Sequence, residues 1–237
     1  MEPIIIFENH SYLVINKPAG LLVHGAPHIE EATLVNWLLE RYPDIENVGE
    51  DPARPGIVHR LDKEVSGLMV IPKNQITYEM LKKQFQERTI KKEYTALVYG
   101  KIFKEEDEIS FPIKRSNEGY KMAAVPKNFS DNSDDKIRPA TTRITILKRL
   151  INYTLLKVEI KTGRTHQIRV HLHAYGHPIV GDNLYSTKIT RIKNKKYNLG
   201  RVFLVSTNLE FTDQNGERQS FQTGLPVDLT NFLETAK

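Results

Sequence analysis

Cysteine is absent from the 237 residues, which excludes disulfides and every thiolate metal site. No apolar run approaches the ~20 residues that a membrane-crossing helix needs, and the opening Met1-Glu2-Pro3-Ile4 is not a basic-then-apolar export leader. Phosphate-loop and dinucleotide glycine fingerprints are also missing. Nothing repeats at a fixed period, and no Gly/Ser- or Pro-rich linker divides the chain. These absences lead to the expectation of a cytoplasmic protein with one domain over 1–237, acting without a nucleotide cofactor; a monomer is expected alongside, on no separate observation.

Charge is nearly balanced, with 34 Lys and Arg against 29 Asp and Glu, but its distribution is uneven. Between Lys188 and Arg201 stand six cations, Lys188, Arg191, Lys193, Lys195, Lys196 and Arg201, and no acid. Such a run reads as a solvated loop, or as a local cationic field suited to a polyphosphate backbone.

Several elements announce themselves. Ile4–Phe7 and Tyr12–Ile15 read as short strands, and Lys17-Pro18-Ala19-Gly20 as a turn. Thr33 is placed to cap a helix through Arg41 with Leu34, Trp37 and Leu38 inward, and Asn74 to cap one reaching Arg88 over Met80, Leu81 and Phe85. Lys91–Gly100 alternates as a strand, with Tyr94, Ala96 and Val98 on one face. Residues 127–138 read as a polar surface loop, unlike a calcium loop because its glycine and closing glutamate are missing. Thr141–Leu150 and Asn152–Lys161 then form an antiparallel pair. This mixture predicts an α+β fold: a mixed, largely antiparallel twisted sheet flanked by helices.

Two stretches carry chemistry. Gly56–Ile71 reads as strand, polar turn and strand, and its alternation puts Val58, Arg60 and Asp62 on one side. A carboxylate held beside a guanidinium suits a nucleophile or base; an Asp bonded to its own turn is the plain alternative. From Thr165 to Tyr175 the chain reads as a helix stopped by Gly176 and Pro178, packed through Ile168, Leu172 and Tyr175. His166, Arg169 and His173 form a neighbouring stripe. Four histidines between 166 and 177 raise a metal reading, but no carboxylate follows them on the same helical face. The expectation is no metal.

The wording of these stretches adds what spacing cannot. His59-Arg60-Leu61-Asp62-Lys63-Glu64-Val65-Ser66-Gly67-Leu68 resembles the HRLD-x-x-T-S-G-L motif of the RluA family of pseudouridine synthases, with Val65 where the family usually has Thr. NKPAGLLVHG (16–25), KKEYTALVYG (91–100), TGRTHQIRVH (162–171) and GHPIVGD (176–182) resemble further family motifs in the family's order. Leu204-Val205-Ser206 departs from the usual Leu-His-Ala.

The resemblance implies the pseudouridine synthase fold with a central active-site cleft. It also implies isomerisation of uridine to pseudouridine in ribosomal or transfer RNA without cofactor. Asp62 takes the catalytic position, Tyr94 that of the tyrosine against the target base, and Arg169 that of the arginine paired with the carboxylate. His59, Arg60, Arg164, Ile168 and Leu204 are the expected substrate contacts, with Arg60 occupying the space left by the flipped uridine. Lys188, Arg191, Lys193, Lys195 and Lys196 are the expected contacts to the RNA backbone. Because NKPAG stands so near the start, no separate N-terminal RNA-binding domain is expected. A non-catalytic RNA-binding protein on this scaffold and a small metal-assisted hydrolase are the competing readings.

Overall fold

The computed structural model describes residues 2–25, 31–116, 118–125 and 136–236. Most of the loop expected at 127–138 lies outside the described residues. In chain order the strands are β1 (Ile4–Glu8), β2 (Tyr12–Lys17), β3 (Ser66–Pro72), β4 (Lys91–Tyr99), β5 (Glu106–Ile109), β6 (Ile113–Arg115), β7 (Met122–Ala124), β8 (Thr142–Arg149), β9 (Tyr153–Ile160), β10 (Leu204–Thr212) and β11 (Arg218–Gln222). The helices are α1 (Leu34–Arg41), α2 (Gln75–Glu87), α3 (Gln167–Ala174), α4 (Lys188–Tyr197) and α5 (Val227–Thr235). The fold is α+β. The chain forms two compact units, one from 1–92 with 206–224 and the other from 93–205 with 225–237.

In the first unit β2 pairs antiparallel with β1 and β3, and β10 with β11. β3 and β10 are neighbours. Val14 lies opposite Val70 in the ladder, and Tyr12, Val14, Leu68, Val70, Leu209 and Phe211 present one apolar face to Leu81 of α2. Each fully buried side chain of this size contributes roughly 1.5–3 kcal/mol. α2 starts where Asn74 accepts from the Thr77 amide at 2.9 Å, and ends at Arg88 in the left-handed region. α1 opens with a reciprocal Thr33–Asn36 capping box. Both helix starts agree with the sequence reading, because each depends on residues three apart.

The approach of β3 to β10 explains the Ser66-Gly67 pair. Gly67 has φ +120°, and a Cβ there would lie 2.3 Å from the carbonyl oxygen of Ser206. Only glycine lets these backbones meet.

In the second unit β9 lies between β4 and β8, and β5 pairs with β8, all antiparallel. The expected β8–β9 pairing is present, with an irregularity between Ile146 and Lys148. β6 and β7 form a separate two-stranded ribbon. α3 packs on β7 and β8, and its Val170 joins Ile113, Ala140 and Tyr185 in a small core. Phe232 of α5 packs against Tyr153, Tyr197 and Phe203.

Three local expectations are corrected. Residues 56–62 are an irregular loop rather than a strand. α3 begins at Gln167 rather than Thr165, because His166 has a left-handed backbone, φ 54°. The basic stretch is a helix, α4, whose inward side chains are Thr190 and Asn194. With polar residues on its packed side, it shows no apolar periodicity to read.

Candidate active site

Asp62 sits half-buried on the loop that leads into β3. Val58 packs against the first unit's core. The His59 ring stacks on Phe85, centroids 4.7 Å apart, and its Nε2 accepts from the Val70 amide at 3.0 Å. An imidazole thus replaces the strand partner that this limb does not supply. Burial and the nearby Lys92 ammonium hold His59 at a pKa of about 3, so the ring stays neutral and Nε2 remains an acceptor. Past Asp62, the Val65 amide donates to the Asp62 carbonyl at 3.1 Å and closes a turn. His59 is therefore a structural pin for the Asp62 loop as well as part of the expected substrate set.

A second anchor comes from Lys17, a residue given no role in the sequence reading. Its side chain is fully buried, and its ammonium donates to the carbonyls of Pro18 and Leu21, both at 2.8 Å, and of Lys63 at 3.4 Å. Gly20 also donates its amide to the Lys63 carbonyl, at 2.7 Å. The NKPAG turn thereby clasps the residue after Asp62. A lysine in a turn ordinarily reads as exposed; its neighbours Pro18 and Gly20, which shape the surrounding carbonyls, were the available signal.

Arg60 is exposed, and its Nη1 lies 3.0 Å from Nε2 of His24. Arg60 and Asp62 both lie on this short loop, and the strand alternation that predicted their common face is absent.

The second unit carries Tyr94, Arg169, Ile168, Arg164 and Leu204. Tyr94 is buried in β4, opposite Val158. Ile168 and Leu204 are buried too. Arg169 is 3 % exposed, and within its unit it forks onto Asp182: Nε to Oδ2 at 2.7 Å and Nη2 to Oδ1 at 3.0 Å. Its guanidinium stands 5.3 Å from the Tyr185 ring centroid. Asp182 Oδ1 also accepts from the amides of Leu184 and Tyr185, at 3.0 and 2.9 Å. Asn194 of α4 donates to the Asp182 carbonyl at 3.0 Å and accepts from the Gly181 amide at 2.9 Å. Asp182 lies inside the GHPIVGD stretch; the demand of a buried arginine for a carboxylate would have singled it out. Gly181 fits the same design, since a Cβ there would meet the Arg201 carbonyl at 1.9 Å.

Arg164 is exposed, with Nε 3.3 Å from the Pro139 carbonyl. The adjoining turn is held by Gln167, which accepts from Thr162 and from the Arg164 amide and donates to Thr141 and Thr142. The histidines have separate partners: His166 meets the Tyr185 hydroxyl, His171 bridges Thr142 and the Phe111 carbonyl, and His177 meets the Tyr99 carbonyl. Among the described residues no three His, Asp or Glu side chains converge as a metal set.

On α4, Lys188, Arg191, Lys195 and Lys196 are exposed around Ile192, itself 69 % exposed. Lys193 turns toward the Tyr99 ring, 5.6 Å from its centroid, and Arg201 lies 3.6 Å from Asp228.

A family model described as RNA pseudouridylate synthase matches residues 11–174. A protein of Chloroflexus aurantiacus described as an uncharacterized RNA pseudouridine synthase is 43% identical over 220 residues, covering 92% of this chain and 64% of that protein. A protein of Aquifex aeolicus with the same description is 43% identical over 197 residues, covering 82% and 60%. The chain therefore spans less than two thirds of the length of these two relatives. Ribosomal large subunit pseudouridine synthase D of Pseudomonas aeruginosa is 41% identical over 243 residues, 97% of this chain and 70% of that one. Among solved structures, human RNA Pseudouridylate Synthase Domain Containing 1 is similar with a TM-score of 0.75 at 26% identity, covering 95% of this chain and 84% of that one. On the extent of the family match and these identities, the chain belongs to the RluA family of RNA pseudouridine synthases.

Proposed function

We propose that the protein isomerises uridine to pseudouridine in structured RNA, with Asp62 as the catalytic carboxylate. In this reaction the ribose C1′–N1 bond breaks and the freed uracil turns. A C1′–C5 bond then forms, C5 loses its proton and N1 gains one, so atoms balance without an imported group. Asp62 acts at the sugar, as nucleophile or base. Tyr94 packs on the uracil, and Arg169 is the cation that keeps the carboxylate ionised once a base covers it. The fork onto Asp182 fixes the guanidinium plane through Nε and Nη2. Ile168 and Leu204 line the uracil site, and Arg164 holds phosphate.

The observation that carries the reading is the clasp on the Asp62 loop. Its residues are the family's motif, and they are fastened from both sides, by His59 to β3 and by Lys17 and Gly20 to the Lys63 carbonyl. A loop held in place is what a carboxylate acting at one sugar carbon requires of its backbone.

Ribosomal RNA of the large subunit is the favoured target, since the Pseudomonas relative is named for it; transfer RNA is the second. Arg60 enters the stack vacated by the flipped uridine, and the outward cations of α4 follow the phosphate backbone. The test treats unmodified ribosomal and transfer RNA with the wild-type protein and with Asp62→Asn. Pseudouridine formed by the wild type and absent with a normally folded variant is expected; equal product from both would overturn the assignment.

A further inference from the structure

The pair formed by Arg60 and His24 has an unusual chemistry for an exposed arginine. Among the described residues no carboxylate lies within ion-pair distance of Arg60; its partner is an imidazole nitrogen, Nε2 of His24, 3.0 Å from Nη1. Arginine can only donate, so Nε2 accepts and the ring proton sits on Nδ1. Nδ1 in turn lies 2.9 Å from the Gly25 carbonyl. Both contacts demand the same neutral tautomer, and together they fix the ring.

The choice of partner matters. A carboxylate would orient Arg60 but also cancel its charge, and RNA would have to break an ion pair. A neutral imidazole aims the guanidinium while leaving its full positive charge for the polyanion. Bonding to a single nitrogen also leaves the planar face of the guanidinium clear for a nucleobase. His24 is the penultimate residue of the NKPAGLLVHG stretch, whose turn is already clasped to Lys63. The imidazole is thus carried on the same anchored assembly as the Asp62 loop.

We propose that His24 is a positioning residue for base flipping: it aims Arg60 at the RNA stack without neutralising it. This rests on the functional reading above, in which Arg60 fills the place of the extruded uridine. Because the task is helix invasion, its effect depends on whether the target uridine is stacked.

The experiment compares single-turnover pseudouridine formation on two RNAs. One is a hairpin cut around the uridine that the wild-type protein modifies in the ribosomal and transfer RNA test above; the other is the same nucleotides without the pairing strand. His24→Ala is expected to lower the hairpin rate about tenfold more than the single-strand rate. His24→Gln, whose amide oxygen can accept from Arg60, is expected to recover most of the difference, and Arg60→Ala/His24→Ala to be no worse than Arg60→Ala. Equal losses on the two RNAs, no rescue by Gln, or additive losses in the double variant would overturn the inference while leaving the activity standing. No product from ribosomal or transfer RNA with the wild-type protein, in the test given above, would overturn the functional reading and this inference with it.

Discussion

Arg169 and Asp182 form a closed two-point ion pair, 2.7 and 3.0 Å, with both side chains at 3 % exposure or less. The carboxylate also collects two backbone amides from the Asp182–Tyr185 turn. The pair therefore ties α3 to the segment before α4, and any catalytic use of Arg169 depends on that tie.

Asp182→Asn tests the tie. The amide oxygen can still accept from Leu184 and Tyr185, but the negative charge that Asp182 presents to the buried Arg169 is lost. A loss of about 3–5 kcal/mol is expected from removing one partner of a buried pair. Urea unfolding reads it as a lowered midpoint at unchanged slope. A loss below about 1 kcal/mol would mean that the pair is not closed in solution.

Gly67→Ala tests the crossing of β3 and β10. The new methyl would have to sit at φ +120° and 2.3 Å from the Ser206 carbonyl oxygen, so the strands must part or the backbone must flip. A loss beyond about 3 kcal/mol is expected, above the range of most single substitutions. Gly216→Ala is the control: it also has positive φ, but a Cβ there meets nothing within 4 Å. It should lose only the backbone strain, about 1 kcal/mol.

How far the sequence could be read followed from how local each determinant is. Thr33 and Asn74 cap helices by contacts three residues away, and β8 and β9 are joined by a short connection; all of these were legible. The limb at 56–62 was not. Its consecutive Val58 and His59 both pack on elements that follow it in the chain, Val58 on the core formed by β3 and α2 and His59 on Phe85 and Val70, a placement that no local periodicity encodes. α4 was hidden because Thr190 and Asn194, rather than aliphatics, fill its packed side. Lys17 and Asp182 escaped for a shared reason: each is a charge whose burial depends on partners that only the folded chain assembles. The family motifs pointed to Asp62, Tyr94 and Arg169, but they did not show what holds those residues in place.

The outward face of α4 predicts a salt signature. Replacing Lys188, Arg191, Lys195 and Lys196 by Gln removes four exposed cations and leaves the packed Thr190 and Asn194 untouched. If all four follow phosphates, the slope of log affinity against log salt should fall by about 3, each contact contributing roughly 0.7–0.9. Lys193→Gln, whose ammonium faces the Tyr99 ring, should change the slope by less than one contact. Binding of a ribosomal RNA fragment across a salt series checks both, and an unchanged slope in the fourfold variant would remove α4 from the interface.

His59 makes stability depend on pH in a defined direction. Burial, then repulsion from Lys92, lowers its pKa from 6.5 to about 3. Above pH 6.5 the ring is neutral in both folded and unfolded chains and has no pH effect. Between 6.5 and 3 the unfolded chain takes up a proton that the folded chain refuses, so stability falls as the pH falls. From pH 6.5 to 5 the single group accounts for up to about 2 kcal/mol, at 1.36 kcal/mol per unit. Other groups titrate over this range, among them His171, whose pKa burial also lowers, so the comparison must be with His59→Asn. That variant should be less stable at pH 7, because it gives up the stack on Phe85, yet lose less on going to pH 5. Parallel losses in the two proteins, measured by urea unfolding at both pH values, would show that the imidazole is not held neutral against Val70.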